Sequence, residues 1–226
     1  MVIEKYTFLQ IAMVFAAASW VATAAKWKFL KYITKPAMLI ALMAFIWNLR
    51  PGVIFRENVN WLLLAIFFSL IGSILLLAFR NSLTPGLIAF SMVLISYIYT
   101  LHITLPVINL ANAIIIVMVS LTSHQIYRRI SQGPGYPREI HIKVLIPVYM
   151  LILSMMVIFS LLTLVSSGWE NYRALLLSAG ALLFLISNIW YAWDRFVGAL
   201  KWGQLRVMIS FHLGQCLLCL GFLITF

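Results

Sequence analysis

Eight long apolar runs, separated by short polar, basic or Pro- and Gly-containing segments, dominate the chain. The runs cover residues 8–25, 36–49, 61–79, 85–101, 105–121, 143–165, 172–192 and 205–226. A bilayer core takes about 20 apolar residues per helix, and lipid tolerates only backbone whose hydrogen bonds are satisfied internally. The pattern therefore predicts an all-α membrane protein of eight transmembrane helices, forming a single multi-pass domain over residues 1–226.

The division between the fourth and fifth runs is the least marked. Only His102, Thr104 and Pro106 interrupt the apolar character there. A single helix over residues 85–121 exceeds the length that one crossing needs, so we predict two spans. Seven spans is the alternative.

The first run has features of a cleaved signal peptide. Lys5 precedes it and small residues at 22–24 end it, but Lys26, Lys28 and Lys31 follow directly. Lysines directly after an apolar run are typical of an uncleaved transmembrane helix whose C-terminal end lies in the cytoplasm. We therefore expect an uncleaved helix, with a signal peptide as the alternative.

Composition supports the membrane assignment, and the charges predict an orientation. The chain is 64% hydrophobic and 9% charged, and its net charge of +11 comes from 16 Lys and Arg residues. These lie in short segments between the runs rather than on one continuous face, which argues against a nucleic-acid partner. Alternate sides contain twelve and four of them, so the positive-inside rule predicts a cell-membrane protein with both termini on the non-cytoplasmic side.

An internal repeat is a further possibility. Lys35-Pro36 and Ile146-Pro147 are 111 residues apart, and Gly72-Ser73 and Ser187-Asn188 are 115 apart. A four-helix unit repeated in parallel would produce this spacing, and chance is the alternative.

Polar residues within the predicted spans fall at a similar depth on five helices. They are Lys35, Ser69, Ser73, Tyr149, Ser187, Asn188, Ser210, His212 and Gln215. With the predicted orientation, they indicate a cytoplasmic-side pocket for a molecule with one polar and one apolar end, so we expect a membrane-lipid partner. The alternative is packing: Ser and Asn bonding to neighbouring helices, Lys35 reaching the interface, and His212 satisfied in the interior.

Several kinds of chemistry lack the residues they need. All five acidic residues lie in loops or at span ends, so no carboxylate pair is available for acid-base catalysis. Cys216 and Cys219 lie three residues apart in the last apolar run, make a poor metal site on one helical face, and are expected to pack as apolar groups. We predict no metal and no cofactor.

The polar residues lie within motifs that resemble the lysoplasmalogenase, or YhhN-like, family of eight-span proteins. The motifs are Thr34-Lys35-Pro36, Ser69 to Ser73, Pro85 to Phe90 with Tyr97, Tyr149 followed by Met155-Met156, Ile186-Ser187-Asn188 with Ala192 and Arg195-Phe196, and Phe211 to Gln215. The resemblance implies hydrolysis of the vinyl ether bond of lysoplasmalogens, which releases a fatty aldehyde and a glycerophospho-amine.

Three positions depart from the family pattern. The family has Asp where this chain has Ser73 and Asn188, and His where it has Leu94. The resemblance implies that those two aspartates are the catalytic pair. Vinyl ether hydrolysis needs a proton donor and a group that stabilises the resulting cation, and neither Ser nor Asn supplies them in its ordinary ionisation state.

Three functional hypotheses follow. The first is a family member that keeps an amphiphile pocket but has lost or changed the reaction. In it, Lys35 pairs with a lipid phosphate while Ser69, Ser73, Tyr149, Ser187, Asn188, His212 and Gln215 line the site. The second is an active lysolipid hydrolase with His212 or Tyr149 as general acid. The third is a transporter of small amphiphiles.

Overall fold

A computed structural model describes residues 2–49, 57–78, 83–101 and 109–223. These residues form eight helices: α1 (Val2–Ala24), α2 (Lys28–Leu49), α3 (Glu57–Ala78), α4 (Thr84–Leu101), α5 (Leu110–Ser131), α6 (Ile140–Leu162), α7 (Asn171–Phe196) and α8 (Gly203–Leu223). A short 3-10 turn, Thr163–Val165, extends α6. All eight helices are long and apolar enough to cross a membrane, and the described residues contain no strand, so the predicted fold class is confirmed.

The fourth and fifth spans are separate helices. α4 ends at Leu101 and α5 begins at Leu110, so the seven-span alternative is wrong for this chain. His102, Thr104 and Pro106 lie outside the described residues.

Several helices extend further than their apolar runs, α2 and α5 by the most. α2 starts at Lys28 rather than at residue 36, and α5 continues to Ser131 through Arg128 and Arg129. Long basic side chains can reach the headgroup region while their backbone stays helical. A prediction from hydropathy alone therefore makes α2 and α5 too short. The loop before α6 is correspondingly short.

The helices group into two compact units, Met1–Thr100 and Leu101–Phe226. The first unit contains α1 to α4 and the second contains α5 to α8, apart from residue 101 at the end of α4. The boundary divides the helices four and four, as the suggested repeat would. That the units are copies of one another stays a prediction, as does the single-domain assignment.

In the first unit, small residues and aromatic rings form the helix contacts. α1 buries Ala12, Ala16 and Ser19 along one face and packs on α2. α3 and α4 meet where the Phe90 ring covers Gly72: a Cβ on that glycine would lie 2.9 Å from the ring. Small residues let helices approach closely in lipid, where apolar association gains little from water release.

In the second unit, α7 and α8 approach through glycines. A Cβ on Gly180 of α7 would lie 2.9 Å from the backbone nitrogen of Leu218, and one on Gly214 of α8 would lie 3.0 Å from the carbonyl oxygen of Gly180. Gly221, two turns after Gly214, lies similarly against Leu177. The two backbones therefore touch over about two helical turns.

Both loops near the end of α7 are tied to that helix. The backbone N–H of Gly135 donates to the carbonyl oxygen of Phe196 at 2.9 Å, and the Tyr136 ring meets the Phe196 ring edge-on. Partial burial and the nearby Tyr127 raise the pKa of the Tyr136 hydroxyl. In the other loop, Asp194 accepts a hydrogen bond from the N–H of Leu200 at 2.8 Å.

Candidate functional site

Three predicted site residues belong to the first unit. Lys35 lies half-buried on α2, one turn after Lys31, and α2 packs against α3. Ser69 and Ser73 are both 0% exposed on α3. The Ser73 hydroxyl makes no hydrogen bond within the part of the chain that the structure describes. Such a buried hydroxyl is unusual, because desolvation without a partner costs about 1–3 kcal/mol.

Two of the five predicted site residues in the second unit meet directly. Tyr149 on α6 donates its hydroxyl hydrogen to Oδ1 of Asn188 on α7, with 2.6 Å between the oxygens. Nδ2 of Asn188 donates in turn to the carbonyl oxygen of Phe184, one turn earlier on α7, at 2.8 Å. Both ends of the amide are used, so its orientation is set by these two bonds.

The serines of the second unit bond to backbone instead. Ser187 donates to the carbonyl oxygen of Val207 on α8 at 2.9 Å, which joins α7 to α8. Ser210 donates to the carbonyl oxygen of Arg206 within α8 at 2.8 Å. For these hydroxyls the packing alternative accounts for the contacts observed.

His212 and Gln215 lie on α8, three residues apart and both 0% exposed. The His212 imidazole lies beside the Phe211 ring, with 5.7 Å between ring centroids, and Phe211 in turn lies beside Phe184 of α7. A fully buried imidazole and amide in an apolar helix are the residues most in need of polar partners. The convergence of all eight predicted residues into one pocket stays a prediction.

Two further polar residues lie near the Tyr149–Asn188 pair and were not among the predicted site residues. Asn188, Tyr191 and Arg195 follow one another on α7 at spacings of three and four, which places them on one face. Tyr191 lies near Tyr149, and the Arg195 side chain lies near the Tyr191 hydroxyl. That helical spacing of polar residues in an apolar span was the available signal.

Apart from the His212 imidazole, the predicted site residues of the second unit are arranged for hydrogen bonding. Asn188 and the serines neither gain nor lose protons at neutral pH, while the Tyr149 hydroxyl donates a hydrogen bond to an amide oxygen. The acids described there, Glu139, Glu170 and Asp194, lie at helix ends. Among the described residues no group of His, Cys, Asp or Glu side chains is arranged to hold a metal ion.

The chain was also compared with known proteins. The model of the YhhN family matches residues 30–222, from the start of α2 to the end of α8, and so includes every predicted site residue. No curated protein and no solved structure gives a significant match. Because the match covers most of the chain, the protein belongs to the YhhN family, the lysoplasmalogenase-like family that its motifs resemble.

Proposed function

We propose that this protein binds a single-chain phospholipid or a similar amphiphile in a polar pocket on the cytoplasmic side, and that the vinyl ether hydrolysis of its family is lost or altered. Family membership supports the ligand class. The observation that carries the proposal is the Tyr149–Asn188 hydrogen bond, because Asn188 is one of the two positions at which the family resemblance implies Asp.

The substitution at position 188 changes the local chemistry in a definite way. The Asn188 amide donates through Nδ2 to the Phe184 carbonyl oxygen. An Asp side chain has an oxygen in that place and makes the same contact only when it is protonated. Such an acid would hold a transferable proton at this position, whereas Asn holds none. Ser73 on α3 similarly lacks a charge with which to stabilise a cation.

Ligand binding is testable in nanodiscs of diacyl lipid, which avoid competition from single-chain detergents. Lysophospholipid is expected to raise the thermal unfolding midpoint of the wild-type protein, because a ligand that binds only the folded state stabilises it. Asn188→Leu is expected to reduce this shift. Ser154→Ala is the matched control, since Ser154 is a buried hydroxyl on α6 that, within the described part of the chain, bonds to its own helix at the Met150 carbonyl oxygen. An unchanged midpoint with lysophospholipids of several chain lengths and headgroups would contradict the proposal.

Loss of the family reaction is tested by aldehyde release from a lysoplasmalogen. We expect little or no release by the wild-type protein and a gain of activity in the Ser73→Asp, Asn188→Asp double variant. Release by the wild-type protein that His212→Ala or Tyr149→Phe abolishes would support an active hydrolase instead. Flux of amphiphiles through proteoliposomes without aldehyde release would support the transporter hypothesis.

A further inference from the structure

A polar stripe on α7 leads from the Tyr149–Asn188 pair to the end of the helix. Tyr191 lies about 4.5 Å further along the helix axis than Asn188, and Arg195 about 10 Å further. Tyr191 is half-buried and Arg195 is exposed, so polarity and exposure increase together towards the helix end. The Arg195 side chain lies near the hydroxyl of Tyr191, one turn earlier on α7.

The surroundings of Arg195 are basic. Lys201 is exposed in the loop that follows α7, and Arg206, in the first turns of α8, lies over the Trp190 ring at 5.8 Å from its centroid. The neighbouring carboxylate of Asp194 accepts a hydrogen bond from the N–H of Leu200 in that loop. An anion at this end of the second unit therefore meets an excess of positive charge.

The geometry points to Arg195 and Tyr191 as the subsite for the phosphate of the amphiphile, with Asn188 and Tyr149 facing the glycerol portion deeper in the helix contact. This inference rests on the proposed function and adds its headgroup contact. A guanidinium offers a fork of donors that matches phosphate oxygens, and the adjacent tyrosine hydroxyl supplies another donor. The sequence pattern alone had placed this role on Lys35, which lies in the first unit on α2.

The test separates the phosphate from the acyl chain. Binding to the protein in diacyl-lipid nanodiscs is measured for lysophosphatidylcholine, for a monoacylglycerol of the same chain length, and for glycerophosphocholine and inorganic phosphate. The variants are Arg195→Gln, Arg195→Lys, Tyr191→Phe and Lys35→Gln. Lys201→Gln is the control, since it removes a charge from the same end of the unit without touching the stripe.

We expect Arg195→Gln to weaken lysophosphatidylcholine binding about tenfold or more while leaving monoacylglycerol binding unchanged. Arg195→Lys keeps the positive charge but loses the paired N–H donors of the guanidinium, so an intermediate loss of lysophosphatidylcholine affinity is expected. Tyr191→Phe is expected to weaken only the phosphate-containing ligands. Competition by glycerophosphocholine or inorganic phosphate at equal concentration would support the anion subsite and assign it to free phosphate rather than to a lipid.

Three results would overturn the subsite. These are wild-type affinity for lysophosphatidylcholine in Arg195→Gln, an equal loss for both lipids in that variant, or a loss confined to Lys35→Gln. Failure of the wild-type protein to bind either lipid is a different result, because it would contradict the proposed function itself.

Discussion

At the scale of single residues, the second unit satisfies buried polar groups in two distinct ways. Ser187 and Ser210 bond to backbone carbonyl oxygens of α8, as polar residues in membrane helices commonly do. Tyr149 and Asn188 instead bond side chain to side chain across α6 and α7. Each bond contributes about 1 kcal/mol, so its presence alone does not distinguish packing from function.

The energy of the Tyr149–Asn188 bond is measurable by a double-mutant cycle. We expect Tyr149→Phe and Asn188→Leu to be coupled by about 0.5–2 kcal/mol in the free energy of unfolding, because each removes one side of the same bond. Reversible unfolding in mixed micelles gives the measurement. A cycle pairing Asn188→Leu with Ser154→Ala is the control and should show additive effects. Additive changes in the free energy of unfolding for Tyr149→Phe and Asn188→Leu would mean that the bond contributes nothing to stability.

At the scale of helices, α7 and α8 are joined by backbone contact. Gly180 and Gly214 face each other so closely that either Cβ would lie about 3 Å from backbone atoms of the opposite helix. Arg173 adds a tie at the other end of this pair: its Nε and Nη2 atoms donate to the carbonyl oxygens of Gly221 and Phe222. The register between α7 and α8 is thus set at several points along their length.

Gly180→Ala is expected to destabilise the protein by about 1–3 kcal/mol, because neither the Leu218 nitrogen nor the Gly214 carbonyl can move without shifting α8. Alanine favours a helix over glycine by up to about 1 kcal/mol, which opposes but does not cancel this cost. Gly198→Ala is the matched control, since a Cβ there meets nothing within 4 Å. Thermal unfolding of both variants measures this cost. Equal unfolding midpoints for Gly180→Ala and Gly198→Ala would contradict close backbone packing between α7 and α8.

At the scale of the whole chain, the unequal distribution of Lys and Arg predicts which loops face the cytoplasm. The loop between α7 and α8 contains the exposed Lys201, and the loop between α6 and α7 contains exposed residues 166–168 and no Lys or Arg. These two loops lie at opposite ends of α7. The positive-inside rule predicts that the first loop lies in the cytoplasm and the second outside.

Cysteine labelling tests this orientation. In intact cells, a membrane-impermeant maleimide is expected to label Ser167→Cys and not Lys201→Cys, whereas both should react once the membrane is opened. The wild-type chain is the control, because its two cysteines, Cys216 and Cys219, are buried in α8. Labelling of Lys201→Cys alone in intact cells would reverse the predicted orientation of every span.

The sequence by itself determined the number of helices, their order and most of their extent. Lipid demands continuous helices of bilayer length, so apolar runs and their breaks are sufficient to count them. Where basic residues extend a helix beyond its apolar run, as at Lys28 and Arg128, the same reasoning placed the ends inaccurately. Family motifs located the polar positions on those helices.

Only the tertiary structure decided which polar groups meet. The Tyr149–Asn188 bond depends on how α6 and α7 are rotated about their axes and how closely they approach, and hydropathy along a chain carries no such information. The same holds for Tyr191, whose helical spacing from Asn188 can be read from the sequence but whose proximity to Tyr149 cannot. Helix rotation is set by contacts between distant residues, such as the glycines of α7 and α8, and these contacts exist only in the folded chain.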